Sequence, residues 1–196
     1  MPESLRKVNA PRAQDIYQHF DLTEDAAGID DGEQPPAAFL NQLIEEGHYE
    51  DATRFLAHAM PKREAVWWAC LAARTVTLRE DAAADHVSAL KAAEAWVFEP
   101  TETNRRTAEK LAEKTSFKHP SSWAAIAAFW SGASITGEDE PPVPPPPHLY
   151  AHAVTGAIML AAALDNPDHI KPKLDAFLKQ GIDIANGGNG QISNAA

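Results

Sequence analysis

A run of nine apolar residues, from Ala65 to Ala73, constrains the fold of this chain more than any other feature of the sequence. Four of the nine are alanine, the strongest helix former. The whole chain has 37 alanines but only 17 valine and isoleucine residues together, and β-branched residues are the ones that strands favour. A helix that is apolar on every side must be buried. The run therefore predicts a central helix in an all-α protein.

Apolar residues at spacings of three and four predict further helices before this run. The segments 36–46 and 49–60 flank Gly47, where the first of the two helices should end, and so form a helical hairpin. The small and large residues from Gly47 to Ala59 resemble the second half of a tetratricopeptide repeat, although no second copy follows. We expect a single domain built as a stack of antiparallel helical hairpins, distantly tetratricopeptide-like.

Composition divides the chain into three parts. Residues 1–35 are acidic and predicted to be largely irregular, residues 36–185 form the helical domain, and residues 186–196 are predicted to be a disordered tail of Gly, Asn and Ser. Within the domain, residues 133–147 form a strap rich in Gly, acids and Pro. Six prolines within residues 141–147 should run as polyproline II. This segment is interpreted as a stiff strap joining two parts of the fold, with a ligand for an aromatic groove as the alternative.

The charge of the chain excludes several kinds of partner. Lys and Arg number 17 against 28 Asp and Glu, which gives a formal net charge of −11. Such a chain repels phosphate backbones and anionic lipid, so we expect no nucleic acid as partner. Its longest uncharged apolar stretch, Leu149–Leu164, falls short of the roughly 20 residues that span a bilayer, so no membrane insertion is expected. The first 30 residues contain no apolar run typical of a secretory signal, and a cytoplasmic protein is expected.

The helix predicted after Pro100 carries bases and acids in alternation. Arg105 and Arg106 are followed by two lysines, and Glu109 and Glu113 lie between them. This pattern is typical of a solvated helix face with ion pairs one turn apart, and a basic docking patch is the alternative.

Candidate catalytic groups are few. His148 and His152 have the i,i+4 spacing of two zinc ligands on a helix, but Leu149 stands where a zincin has its glutamate, and no third ligand can be identified. Cys70 lies within the apolar run without an adjacent cation, which predicts a buried, unreactive thiol. We expect no enzymatic activity, no cofactor and no bound metal. The alternative is a metal-dependent enzyme that uses His148 and His152.

Tryptophans are the candidate protein-binding residues, since tryptophan is frequent at binding hot spots. The four candidates are Trp67, Trp68, Trp123 and Trp130. Trp67 and Trp68 are adjacent, so their side chains point about 100° apart around a helix axis. Both fit a core position, while one of the two can instead reach a surface groove.

The string from Pro61 to Cys70 resembles the core of an uncharacterised bacterial domain family, Pro-Lys-Arg-Glu-x-x-Trp-Trp-x-Cys. The stretches Ala92–Pro100 and Pro144–Tyr150 fit the same family, so that the resemblance covers roughly residues 40–180. Genes of this family resemble accessory members of type VI secretion clusters. The resemblance implies a cytoplasmic adaptor or chaperone whose partner is an effector or spike component, and it assigns no catalytic residue. The acidic charge also suits an immunity protein that neutralises a basic toxin, which remains an alternative.

Overall fold

The computed structural model describes residues 4–29, 32–78, 83–137, 139–164 and 167–191. Within these ranges all regular secondary structure is helical, as predicted, and the helices belong to one domain. The helices are α1 (Gln14–Tyr17), α2 (Glu24–Ala27), α3 (Pro36–Glu45), α4 (Tyr49–Ala59), α5 (Lys62–Thr77), α6 (Ala84–Phe98), α7 (Glu102–Lys114), α8 (Pro120–Trp130), α9 (Leu149–Ala163) and α10 (Ile170–Ala185), with a 3-10 turn at Pro167–His169.

Helix α5 lies at the centre of the fold, as the apolar run predicts. It contacts α6, α8, α9 and α10, and every residue of the run except Trp67 is buried. Helix α9 is the second buried helix and packs against α4, α5, α8 and α10. In the described part of the chain, neither α9 nor any other helix is both long and apolar enough to cross a bilayer.

Most consecutive helices pack on one another, in keeping with the predicted hairpins. Helix α3 contacts α4, and α5 to α9 each contact the next helix in the chain. At Gly47 the backbone has φ +85°, a conformation that glycine adopts without strain, and the chain there leaves α3 and enters α4.

The N-terminal segment has little regular structure, but it is packed against the helical domain. Among its described residues, four apolar side chains are buried, those of Leu5, Ala13, Ile16 and Ala26. Thr23 caps α2, and its amide and hydroxyl groups both donate to the buried carboxylate of Asp51 on α4, at 3.1 and 2.7 Å. The segment therefore covers part of the core.

Residues 186–191 differ from the prediction of a disordered tail. The Trp67 indole N–H donates to the carbonyl oxygen of Asn189 at 2.9 Å. Gly190 is buried with φ +75° and lies so close to α5 that a Cβ atom there would meet a leucine side chain. Glycine allows both the turn and the close approach. Residues 192–196 of the predicted tail lie outside the described residues.

The proline-rich segment 139–147 has no regular helix and runs back along the residues that precede it. The Ile135 amide donates to the carbonyl oxygen of Val143 at 2.8 Å, and the Val143 amide donates to Ser134 Oγ at 3.1 Å. The segment ends at His148, whose φ of +60° directs the chain into α9.

The face of α7 is less solvated than its charges predict. The Arg105 side chain is buried between α7 and α8, where its Nη1 donates to the carbonyl oxygen of Phe129 at 2.8 Å and its Nε donates to Glu102 at 2.6 Å. A Cβ atom at Gly132 would lie 2.3 Å from Arg105 Cδ, so the missing side chain of Gly132 makes room for the arginine. The expectation of a solvated face is therefore wrong for Arg105.

Candidate functional site

The four candidate tryptophans lie at separate places in the fold. Trp68 is fully buried, and its indole N–H donates to the carbonyl oxygen of Phe177 at 2.7 Å. Trp123 and Trp130, both on α8, are half-buried against the core, and so is Trp67 on α5. Three of these side chains are therefore exposed in part, while Trp68 is closed to a partner.

Trp67 lines a cleft of about 210 Å³ between α5, the end of α6 and the C-terminal residues. The other residues that line it are Lys7, Arg63, Glu64, Val97, Ile184 and Gly188. Its apolar side chains come from Trp67, Val97 and Ile184, while Lys7 Nζ and Glu64 Oε1 form an ion pair of 2.9 Å beside them. Apolar and charged side chains together are common in protein-binding surfaces.

Phe98, adjacent to Val97 in the chain, is an aromatic side chain that is 86% exposed. It is the last residue of α6, and its backbone is held firmly. Arg63 Nε donates to the carbonyl oxygen of Val97 at 2.5 Å, and its Nη2 donates to that of Phe98 at 3.2 Å. Asn104 Nδ2 donates to the carbonyl oxygen of Glu99 at 2.8 Å. These bonds pair carbonyl groups at the end of the helix, and they hold the backbone that carries an exposed aromatic ring.

The sequence did not point to Phe98. Phe98 directly follows two other apolar residues, Trp96 and Val97, so its residue type alone does not single it out. One signal was available, since the Glu-Pro pair that follows ends the helix at Phe98. A side chain at the end of a helix is often left outside the packed layer.

Four imidazoles from three segments of the chain meet at a second place. His58, on α4, is buried, with its ring centroid 4.9 Å from that of His152 and 5.7 Å from that of His148. His19, from the segment after α1, stacks on His148 with 4.1 Å between centroids. The sequence had identified only the pair His148 and His152.

The chemistry of this cluster follows from its burial. Desolvation is the main reason that the pKa of His58 is lowered to about 4; the neighbouring imidazoles contribute in the same direction, whereas a hydrogen bond to the Arg54 carbonyl acts in the opposite direction. The Nδ1 atom of His58 lies 2.7 Å from that carbonyl oxygen and therefore carries the proton, while its buried Nε2 has no hydrogen-bond partner. Burial and neighbouring cations also lower the pKa of His148. His58 is therefore a neutral imidazole at neutral pH.

The positions of these histidines do not form a metal centre. Over the residues that the structure describes, no three His, Cys, Asp or Glu side chains are placed so that they could hold a metal ion. Cys70 is also no candidate, because it is fully buried on α5 and burial raises the pKa of its thiol far above the usual range.

Comparison with known proteins places the chain in a family. No curated protein matches it, and no solved structure matches it. The model of a family of unknown function (DUF6931) matches residues 39–185, which is most of the chain. This agrees with the expectation of an uncharacterised domain. The chain therefore belongs to the DUF6931 family.

Proposed function

We propose that this protein is a non-enzymatic adaptor or chaperone that binds a protein partner through the Phe98 surface, which we define as Phe98, Val97, Trp67, Arg63 and Glu64. The observation that carries this proposal is the exposed Phe98 ring on a firmly bonded helix end. Because the backbone is already ordered, a partner that covers the ring loses little backbone entropy at this site.

The size of the effect can be estimated from the exposed ring. Burying a phenylalanine side chain contributes about 2 kcal/mol, which corresponds to about 30-fold in affinity. The charged groups of Arg63, Glu64 and Lys7 line the cleft. They are expected to determine the orientation of the partner more than the affinity. The expected partner segment presents an apolar side chain to Phe98 and polar groups to this rim.

The family resemblance supports a component of a type VI secretion system as the partner, an effector or a spike protein that is bound in the cytoplasm before export. The net charge of −11 favours a partner with a basic surface, because opposite charges speed association.

The proposal also gives a role to two parts of the fold outside the Phe98 surface. The hairpins of α3 to α9 form a distantly tetratricopeptide-like stack that carries the Phe98 surface. The prolines of residues 141–147 act as a polyproline strap that sets the angle at which α9 approaches the core. Both serve to keep the surface rigid.

The experiment combines recovery from a native host lysate with a matched pair of variants. The full chain is expected to recover a spike or effector protein, and the complex is then measured by isothermal titration calorimetry with both proteins purified. Phe98→Ala is expected to weaken binding by about 30-fold without loss of fold, because the ring is exposed. Leu164→Ala is the control, since Leu164 is 43% exposed but follows α9 and is not part of the Phe98 surface.

Two outcomes would contradict the proposal. In the first, the proteins recovered from the lysate at low salt include no component of a secretion system. In the second, a secretion component binds Phe98→Ala as tightly as it binds the unchanged chain. If the recovered protein is a toxin whose activity is blocked in the complex, the function is immunity and not delivery.

A further inference from the structure

The four-imidazole cluster joins the N-terminal segment to the helical domain. The Phe20 ring lies 4.6 Å from the His58 ring, centroid to centroid, and is half-buried over it. His19 stacks on His148 with an angle of 21° between the ring planes. The backbone of this corner is held by local turns, in which the amides of His19 and Phe20 donate to carbonyl groups three residues earlier, at 3.2 and 3.1 Å. The corner is attached to the helical domain by contacts of its two rings and by Arg54 Nη1, which donates to the carbonyl oxygen of Asp21 at 3.1 Å.

The electrostatic neighbours of the two inner imidazoles are all cations when they are charged. His58 is affected by His19, His148 and His152, and His148 by His19, His152 and Lys62 at the start of α5. The Arg54 guanidinium, on the same helix as His58, is already paired with the carboxylates of Glu50 and Asp51. Tyr150, beside His148, donates its hydroxyl group to the carbonyl oxygen of Met60. Among the described residues, the charged groups that shift the pKa of His58 and His148 include no carboxylate, so a second proton in the cluster meets repulsion.

We propose that His19, His58, His148 and His152 form an acid-sensitive latch, which holds the corner at His19–Phe20 closed at neutral pH and opens it when His58 and His148 take up protons. Opening moves the Phe20 ring away from His58 and admits water, and it separates the stacked rings of His19 and His148. This device is independent of the Phe98 surface.

The expected change in the ratio of open to closed molecules can be calculated from proton binding at His58 alone. In the closed form its pKa is about 4, and in the open, hydrated form it returns to the ordinary value of 6.5. A proton is therefore bound more tightly in the open form, and the closed form loses stability as the pH falls below 6.5. Between pH 7 and pH 5 the ratio of open to closed molecules is expected to rise about 20-fold.

Hydrogen–deuterium exchange of the full chain, read by mass spectrometry, measures this opening. Peptides that cover residues 15–23 are compared at pH 7 and pH 5 after correction for the intrinsic chemical rate. The unchanged chain is expected to show the rise of about 20-fold in these peptides. His58→Asn should abolish most of it, since the amide can still donate to the Arg54 carbonyl but does not titrate.

A second variant and a control make the result specific. Asparagine tolerates the positive φ at position 148 but has no titrating ring. His148→Asn should therefore also reduce the rise in exchange. His86→Asn changes the other stacked pair, His86 and His119, whose centroids are 4.1 Å apart, and should leave the rise intact. The proposal is overturned if exchange in residues 15–23 is equal at the two pH values, or if His58→Asn and His148→Asn both keep the full rise. It is also overturned if the rise disappears after treatment with EDTA, because that result would indicate a bound metal.

Discussion

The same substitution, glycine to alanine, is expected to have opposite effects in two helices of this protein. At Gly181 on α10, a Cβ atom would lie 2.7 Å from the Trp68 ring and 2.8 Å from Leu56 Cδ2. The Trp68 ring cannot move aside easily, because it is fully buried and its indole N–H is hydrogen-bonded. At Gly156 on α9, the nearest atoms belong to Trp123 and lie 3.5 Å away, an ordinary contact distance.

The expected magnitudes follow from two opposing terms. Alanine in place of glycine inside a helix stabilises it by about 1 kcal/mol, and Gly156→Ala should gain about that amount. Overpacking a tight core costs about 1–3 kcal/mol, so Gly181→Ala should lose up to about 2 kcal/mol net. The two variants should therefore differ by about 2 kcal/mol, or roughly 4–8 °C in Tm for a chain of this length.

Urea denaturation followed by circular dichroism at 222 nm measures both variants against the unchanged chain. The midpoint should rise for Gly156→Ala and fall for Gly181→Ala, with similar slopes. Equal free energies of unfolding for the two variants would refute the close packing of α10 on Trp68.

Three further predictions concern charge and burial. Glu102→Gln should cost about 2 kcal/mol in the free energy of unfolding, because it weakens charge-assisted bonds to the buried Arg105; a urea midpoint like that of the unchanged chain would contradict this. Cys70 should not react with Ellman's reagent in the native protein and should react as one thiol in guanidinium chloride; rapid labelling without denaturant would show that the thiol is accessible. Because burial lowers the pKa of His58 to about 4 from 6.5, the contribution of His58 to the free energy of unfolding should be nearly constant above about pH 7 and fall by about 3 kcal/mol toward pH 4. Urea titrations across this range should show a smaller fall for His58→Asn, and an equal fall would remove His58 as the cause.

Local signals were enough for the class of fold and for several helices. The alanine content and the apolar run predict a buried central helix, and Gly47 marks a turn that its positive φ requires. Arg105 shows the limit of this reasoning. Its charge pattern on α7 is that of a solvated face. However, the space that Gly132 leaves and the carbonyl group of Phe129 lie at the C-terminal end of α8, which the pattern of α7 cannot reveal.

The candidate sites were less predictable, for the same reason. The spacing of His148 and His152 is visible in the sequence, whereas His19 and His58 are brought to them only by tertiary packing. The exposure of Phe98 depends on where the chain turns after α6, and the burial of Trp68 depends on α10, about a hundred residues away. Residue type indicated that aromatic rings matter here, but the packing of distant helices decides which of them water can reach.

The packing at the two ends of the chain has a practical consequence for work on this family. The family model matches residues 39–185, yet Leu5 and Ile16 before this region and Gly190 after it are buried against the helices. A recombinant fragment that contains only residues 39–185 would expose apolar surface on α5 and on the helices beneath the N-terminal segment. Such a fragment should aggregate on purification, so biophysical experiments need the flanking residues as well.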